Sequence, residues 1–259
     1  MRIGFFDSGI GGLALLEAAL KAFPNNKYLY LADNAFAPYG DKTEQEIKQR
    51  CLAIQSYFES QDVEAIVVAC NTATAIAIDE MRSKTALPII GVEPAIKPAA
   101  LSEQTDVAVL ATKATLLSER YKKLKAKYDG KGVYETPCAG WVSALEKNER
   151  ESWPNLLEAA LAEIKENKVS HIVLGCTHYI GLKDQIQDHL GYALTFYEPT
   201  SGVMQRMKQI LGENLEDSTQ VSDVQLVATS SADRLEEWAK DKSLKNHSVS
   251  VIDLSHDAT

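Results

Sequence analysis

This sequence has no run of Lys and Arg longer than two residues, and its 27 basic side chains are outnumbered by 36 acidic ones, a net charge of −9. Nucleic-acid binders carry a basic face that complements phosphate charge, so no nucleic-acid partner is expected. Long apolar runs are missing too. None approaches the ~20 residues that cross a bilayer, and the opening MRIGFFDSGIGG breaks at Asp7 and Ser8 too early for a secretory leader. A cytoplasmic protein with no membrane partner is expected. Cysteine is scarce: Cys51, Cys70, Cys138 and Cys176 are scattered and form no CxxC pair. That spacing argues against a disulfide framework, a structural zinc and a dithiol redox motif, and leaves reduced thiols. No His, Cys and Asp cluster has metal-ligand spacing, and no lysine sits in a Schiff-base context. Gly9-Ile10-Gly11-Gly12 lacks the GxGxxG spacing of a dinucleotide loop. Neither a metal nor an organic cofactor is expected.

What is present is an alternation. IGFF (3–6) precedes an amphipathic stretch at 11–22, YLYLA (28–32) one at 43–60, AIVVA (65–69) one at 71–83, and PIIG (88–91) one at 94–102. The rhythm resumes with VAVLA (107–111) before 114–126 and HIVLG (171–175) before 182–189. Short β-branched runs followed by helical periods read as βα units, hence an α/β fold of mostly parallel sheets flanked by helices.

An internal repeat sharpens this. Ile66-Val67-Val68-Ala69-Cys70-Asn71-Thr72 aligns with Ile172-Val173-Leu174-Gly175-Cys176-Thr177-His178, an offset of 106 residues. Ile3-Gly4-Phe5-Phe6-Asp7-Ser8 aligns with Val107-Ala108-Val109-Leu110-Ala111-Thr112 at an offset of 104. Chance likeness between two apolar strands explains the second pair about as well as duplication does; the cysteine pair is harder to dismiss. We read two pseudo-symmetric domains with the active site in the cleft between them. The first spans 1–95 plus 208–259, to which VQLVA (224–228), a helix near 232–240 and VSVID (249–253) return; the second spans 96–207.

In parallel α/β sheets, ligands gather outside the carboxyl ends of the strands, where loops and helix N-termini present backbone N–H groups. Cys70 and Cys176 each follow a strand directly. Two thiols approaching one ligand from opposite sides suit proton exchange at a stereocentre: one removes a proton from one face, the other delivers one to the opposite face. A free thiol with a pKa of ~8.5 lies within reach of neutral pH. Unpaired cysteines are also among the most buried residues, so either one alone reads more readily as packing. The matched pair, with Asn71, Thr72, Thr177 and His178 beside it, favours chemistry.

DSGIGG (7–12), APYGDKT (37–43), ACNTATA (69–75), GVEPA (91–95), ATKATLLSERY (111–121) and LGCTHY (174–179), with the weaker VATSSADRLEEW (227–238), stand in the order and spacing of the glutamate racemase family. The chain resembles that family over essentially its whole length. The resemblance implies a two-domain α/β enzyme that interconverts L- and D-glutamate without pyridoxal phosphate, supplying D-glutamate for bacterial peptidoglycan, with glutamate as its small-molecule partner and a homodimer left open. By position, Cys70 and Cys176 resemble the two bases. Asp7 and Glu146 resemble the assisting carboxylates, with His178 beside Cys176, and Asp33 occupies another acidic catalytic position. Ser8, Tyr39, Gly40, Asn71, Thr72, Thr177 and His178, with Asp7, match substrate-binding positions; Thr112 and Thr115 match more weakly. Activator-dependent members carry an N-terminal extension, whereas here Met1 sits just before the first strand, so activity without a cell-wall precursor is expected.

Bland readings compete at several residues. Asp7 reads also as a turn or N-cap aspartate, and His178 as a satisfied loop histidine. Cys51 falls in the helical pattern IKQRCLAIQSYF as core, Cys138 reads as structural, and Tyr28, Tyr30, Trp141 and Trp153 read as packing. A non-catalytic amino-acid-binding protein is the rival class, and relatives acting on aspartate share the two-cysteine chemistry.

Overall fold

The computed structural model describes residues 1–101, 106–127, 132–215 and 223–254. These form two compact units, Met1–Val92 with the chain from Thr200 onward, and Glu93–Pro199.

The first unit opens with β1 (Arg2–Asp7), α1 (Leu13–Ala22), β2 (Lys27–Ala32), α2 (Glu44–Ser60), β3 (Ala65–Val68), α3 (Asn71–Lys84) and β4 (Ile89–Gly91). The second holds α4 (Ile96–Ala100), β5 (Asp106–Ala111), α5 (Lys113–Leu117), α6 (Glu119–Ala126), β6 (Gly132–Pro137), α7 (Trp141–Glu146), α8 (Trp153–Glu166), β7 (His171–Leu174), α9 (Lys183–Leu190) and β8 (Thr195–Tyr197). The chain then returns to the first unit through α10 (Thr200–Leu211), β9 (Asp223–Ala228), α11 (Asp233–Asp241) and β10 (His247–Val251).

Strand order is β10-β9-β2-β1-β3-β4 in the first sheet and β6-β5-β7-β8 in the second, with parallel pairing throughout. Because successive side chains of a strand face opposite ways, β1 feeds two cores. Ile3 and Phe5 pack with Leu15, Leu16, Tyr28 and Tyr30 on one face, and Phe6 with Ile54, Phe58, Ile66 and Val68 on the other. Each fully buried Phe contributes roughly 1.5–3 kcal/mol relative to exposure. Burial on both faces explains why these strands read as continuous apolar runs.

The repeat appears as identical register. Gly4 pairs with Ile66 and Phe6 with Val68 in the first sheet; Ala108 pairs with Ile172 and Leu110 with Leu174 in the second. Beyond the strand ends, the Ala69 N–H donates to the Phe6 carbonyl at 2.8 Å, and the Gly175 N–H to the Leu110 carbonyl at 2.7 Å. Each cysteine is therefore delivered by the same backbone construction.

Three expectations need adjustment. The helical stretch at 114–126 is two helices, because Ser118 is extended, its Oγ accepts from the Tyr121 N–H at 3.1 Å and donates to the Thr115 carbonyl at 2.7 Å. Such local side-chain bonds displace the helical ladder. The helix after β4 runs only from Ile96 to Ala100, with Pro94 just ahead of it; residue 102, its expected end, lies outside the described residues. Finally, a boundary at 207/208 would cut α10, whose Val203, Met207 and Leu211 pack into the core beside β1 and β2, so the whole helix belongs to the first unit.

Candidate active site

In the first unit, the ends of β1, β2 and β3 bring the site residues together. Cys70 is the N-cap of the 14-residue helix α3, and its sulfur accepts from the Ala73 N–H at 3.5 Å. A helix N-terminus carries partial positive charge and favours negative charge at that sulfur. Ser8 Oγ lies 3.9 Å from Cys70 Sγ. Asp7 ends β1 fully buried, and its Oδ2 accepts from the Gly9 N–H at 3.2 Å. The loop after it is tightly seated: the Tyr30 hydroxyl donates to the Gly9 carbonyl at 2.7 Å, and a Cβ on Gly12 would fall 2.8 Å from those of Asp7 and Ala69.

Asn71 and Thr72 follow Cys70 into α3 and are buried. Neither polar atom of the Asn71 side chain has a hydrogen-bond partner among the described residues. A buried amide without partners costs ~1–3 kcal/mol unless something else satisfies it. Tyr39 is buried in the turn Tyr39–Asp41, which packs against α3, and Gly40 beside it is half-buried. Burial, then the neighbouring Asp33, push the Tyr39 phenol well above its ordinary pKa, so it stays a neutral donor. Its hydroxyl donates to Asp33 Oδ2 at 2.7 Å.

The second unit builds its counterpart at the ends of β5 and β7. Cys176 precedes a 3-10 helix at Thr177–Leu182, and its sulfur makes no capping bond. Instead it lies 3.8 Å from His178 Nδ1, whose Nε2 is 2.5 Å from Glu146 Oε1 at the end of α7. The His178 side chain is 2% exposed. Thr177 is buried, and its hydroxyl has no hydrogen-bond partner among the described residues. Thr112 caps α5, accepting from the Thr115 N–H at 3.2 Å, with its hydroxyl 2.9 Å from that of Thr115.

Each site cysteine has a second buried thiol nearby, Cys51 in α2 and Cys138 after β6. Burial first, and then the neighbouring site cysteine, push both of these thiols well above the ordinary range. They stay protonated and inert. Trp141 packs edge-on against Trp153 and Tyr179, and Tyr179 donates to the Cys138 carbonyl at 3.3 Å.

Asp33 differs from the other carboxylates. It is fully buried and ion-paired to Arg50, with Nη2 to Oδ1 at 2.5 Å and Nε to Oδ2 at 2.8 Å. Sequence reading passed over Arg50, although a charge between Ile47, Cys51 and Ile54 in an otherwise apolar helix stripe was its signal. Among the described residues no group of three or more His, Cys, Asp and Glu could hold a metal ion, and no helix is long and apolar enough to cross a membrane.

Comparisons with known proteins bear on this geometry. A family model described as Asp/Glu/Hydantoin racemase matches residues 12–206. A glutamate racemase of Clostridium perfringens is 44% identical over 217 residues, covering 82% of this chain and 84% of that protein. The crystal structure of Escherichia coli glutamate racemase, in complex with L-glutamate and the activator UDP-MurNAc-ala, superposes with a TM-score of 0.84 at 26% identity, covering 96% of this chain and 97% of the other. That of Francisella tularensis, in complex with D-glutamate, gives 0.82 at 27% identity and 98% coverage of both. Two like-built sheets, each delivering a cysteine beside a buried carboxylate or histidine, thus occur in a chain that belongs to the Asp/Glu/hydantoin racemase family, among its glutamate racemases.

Proposed function

We propose that this chain interconverts L- and D-glutamate without a cofactor, Cys70 and Cys176 exchanging the α-proton on opposite faces. The observation that carries this is the equivalence of the two cysteines: each lies two residues past the end of an equivalent strand in the same register, and each is followed by a buried side chain with unsatisfied hydrogen-bonding atoms, Asn71 and Thr177. The substrate's carboxylates and ammonium are the groups such donors and acceptors would satisfy. The mechanism requires both strand ends to reach one α-carbon.

One cysteine, as thiolate, takes the α-proton; the electron pair left on Cα delocalises into the carboxylate. The other, as thiol, gives its proton to the opposite face, and the two cysteines exchange protonation states. On the first side, the α3 N-terminus steadies the charge at Cys70, and Asp7 orients the thiol or receives its proton. On the second, His178, held by Glu146, does so at Cys176. Ser8, Tyr39, Gly40, Asn71, Thr72 and Thr177 bind the substrate, with Thr112 and Thr115 at the margin. By the family resemblance, Cys70 serves D-glutamate and Cys176 serves L-glutamate. The product fits a cytoplasmic supply of D-glutamate for peptidoglycan.

Pure L-glutamate incubated with the purified chain, with no pyridoxal phosphate, nucleotide or metal added, should lose its optical rotation. Aspartate should be a much poorer substrate, because a shorter acid leaves polar groups of the site unpaired. Comparable efficiency with both acids would remove the glutamate assignment, and inertness toward both would remove the racemase one.

A further inference from the structure

The family resemblance in VATSSADRLEEW (227–238) is left without a role by the catalytic residues, and so is the buried pair of Arg50 and Asp33. The two are one structure. Asp33 follows β2, and its carboxylate takes four hydrogen bonds: two from Arg50, one from the Tyr39 hydroxyl at 2.7 Å and one from the Thr229 hydroxyl at 2.8 Å. Thr229 follows β9, the strand beside β2, and its Oγ1 also accepts from the Ala35 N–H at 3.0 Å. Asn34 Nδ2 donates to the Ser231 carbonyl at 2.6 Å, and its Oδ1 accepts from the Ser230 N–H at 2.9 Å. The segment between β2 and Tyr39 is therefore stitched to the end of β9. The third nitrogen of Arg50, Nη1, donates to the carbonyl of Leu254 at 3.0 Å, and Leu254 lies in the same buried cluster as Tyr39 and Cys70.

We infer that Arg50 and Thr229 are positioning residues of the reaction: through Asp33 they fix Tyr39 beside Cys70. This rests on the reading in which Tyr39 binds the substrate. A carboxylate already holding four donors is an anchor, which moves Asp33 from the catalytic carboxylates to this frame. Only a guanidinium satisfies it with two parallel bonds while reaching a third acceptor; an ammonium supplies charge without the fork. The frame sits at the carboxyl ends of β2 and β9, and its free arm ends in Tyr39, packed against the helix that Cys70 caps. Burying a charged pair is weak support for stability in itself, and its clearest use is to specify one geometry.

The test is steady-state kinetics on the full chain for Arg50→Lys, Arg50→Gln, Thr229→Val, Tyr39→Phe and the Arg50→Gln/Tyr39→Phe double variant, with folding followed by circular dichroism. Lost positioning of a substrate-binding group raises KM more than it lowers kcat. KM for glutamate should rise about 5- to 10-fold in Thr229→Val, more in Arg50→Gln and less in Arg50→Lys, with kcat held within about threefold. In the Tyr39→Phe background, Arg50→Gln should add little, because both act on one contact. Unchanged KM in folded Thr229→Val, or multiplying effects in the double variant, overturns the inference while the racemase reading stands. If Arg50→Gln does not fold, Thr229→Val decides, since it removes one hydroxyl. A wild-type chain that leaves glutamate unracemised sinks both.

Discussion

Glu146 Oε1 lies 2.5 Å from His178 Nε2, and the opposite ring nitrogen faces Cys176 Sγ at 3.8 Å. A carboxylate at one nitrogen of an imidazole fixes the ring and steadies positive charge on it. The first unit achieves a like effect at Cys70 by other means, the N-terminus of α3. The two thiols are therefore equivalent in the backbone and different in their support.

Glu146→Gln keeps the shape of this arrangement and removes its charge. Racemisation should fall by an amount near the low end of the roughly 10²- to 10⁴-fold that a positioned acid or base supplies. Because the equilibrium between enantiomers is unity, kcat/KM must fall equally in both directions. Polarimetry from each pure enantiomer measures this. Unaltered rates would leave Glu146 a structural partner of His178.

The central parts of both sheets were legible because β1, β3, β5 and β7 are buried on both faces and read as apolar runs. The edge strands β6 and β8 were not: GVYETP and TFY are largely exposed or half-exposed and lack that signal. Helix α8 went unread, although the spacing of Leu157, Leu161 and Ile164, its buried stripe, carried its signal. The site cysteines were legible through the repeat, which no single strand would have disclosed. Arg50 left a signal as a charge in its helix stripe, but Thr229 left none, because its partnership with Asp33 joins residues 196 positions apart and rests on strand order rather than spacing.

Gly175 separates the two half-sites more sharply than either cysteine does. A Cβ there would lie 2.9 Å from Ala111 Cβ and 3.0 Å from the Leu110 carbonyl oxygen, a backbone atom with little freedom to yield. Ala69, its counterpart, already carries the methyl. Gly175→Ala should cost about 1–3 kcal/mol by overpacking, read as a lower urea midpoint, and should displace Cys176. A neutral substitution would mean that β5 and β7 separate more easily than their pairing implies.

Thiol reactivity distinguishes the four cysteines. Cys51 and Cys138 have pKa values raised by burial, so at pH 8 their thiolate fraction is small and alkylation slow. Iodoacetamide followed by peptide mass spectrometry should label Cys70 and Cys176 first, and saturating glutamate should protect them. Labelling of Cys51 or Cys138 ahead of the other two, in folded protein, would contradict the assignment of the site cysteines.

The face served by each thiol is the most discriminating expectation. Replacing Cys70 or Cys176 by serine puts a far weaker acid and base at that position, so racemisation should collapse in both directions, each direction needing one cysteine as base and the other as acid. An analogue with a good leaving group on the β-carbon needs abstraction alone: the base takes the α-proton, the Cα–H electron pair forms the Cα–Cβ double bond, and the leaving group departs with its own pair. Cys70→Ser should then spare elimination from the L-analogue, whose proton goes to Cys176. Cys176→Ser should spare it from the D-analogue, whose proton goes to Cys70. Product detection with each enantiomer and each variant is sufficient. Equal loss with both enantiomers in both variants would show that the thiols are not separate, face-specific bases, and high residual racemisation in either variant would return that cysteine to packing.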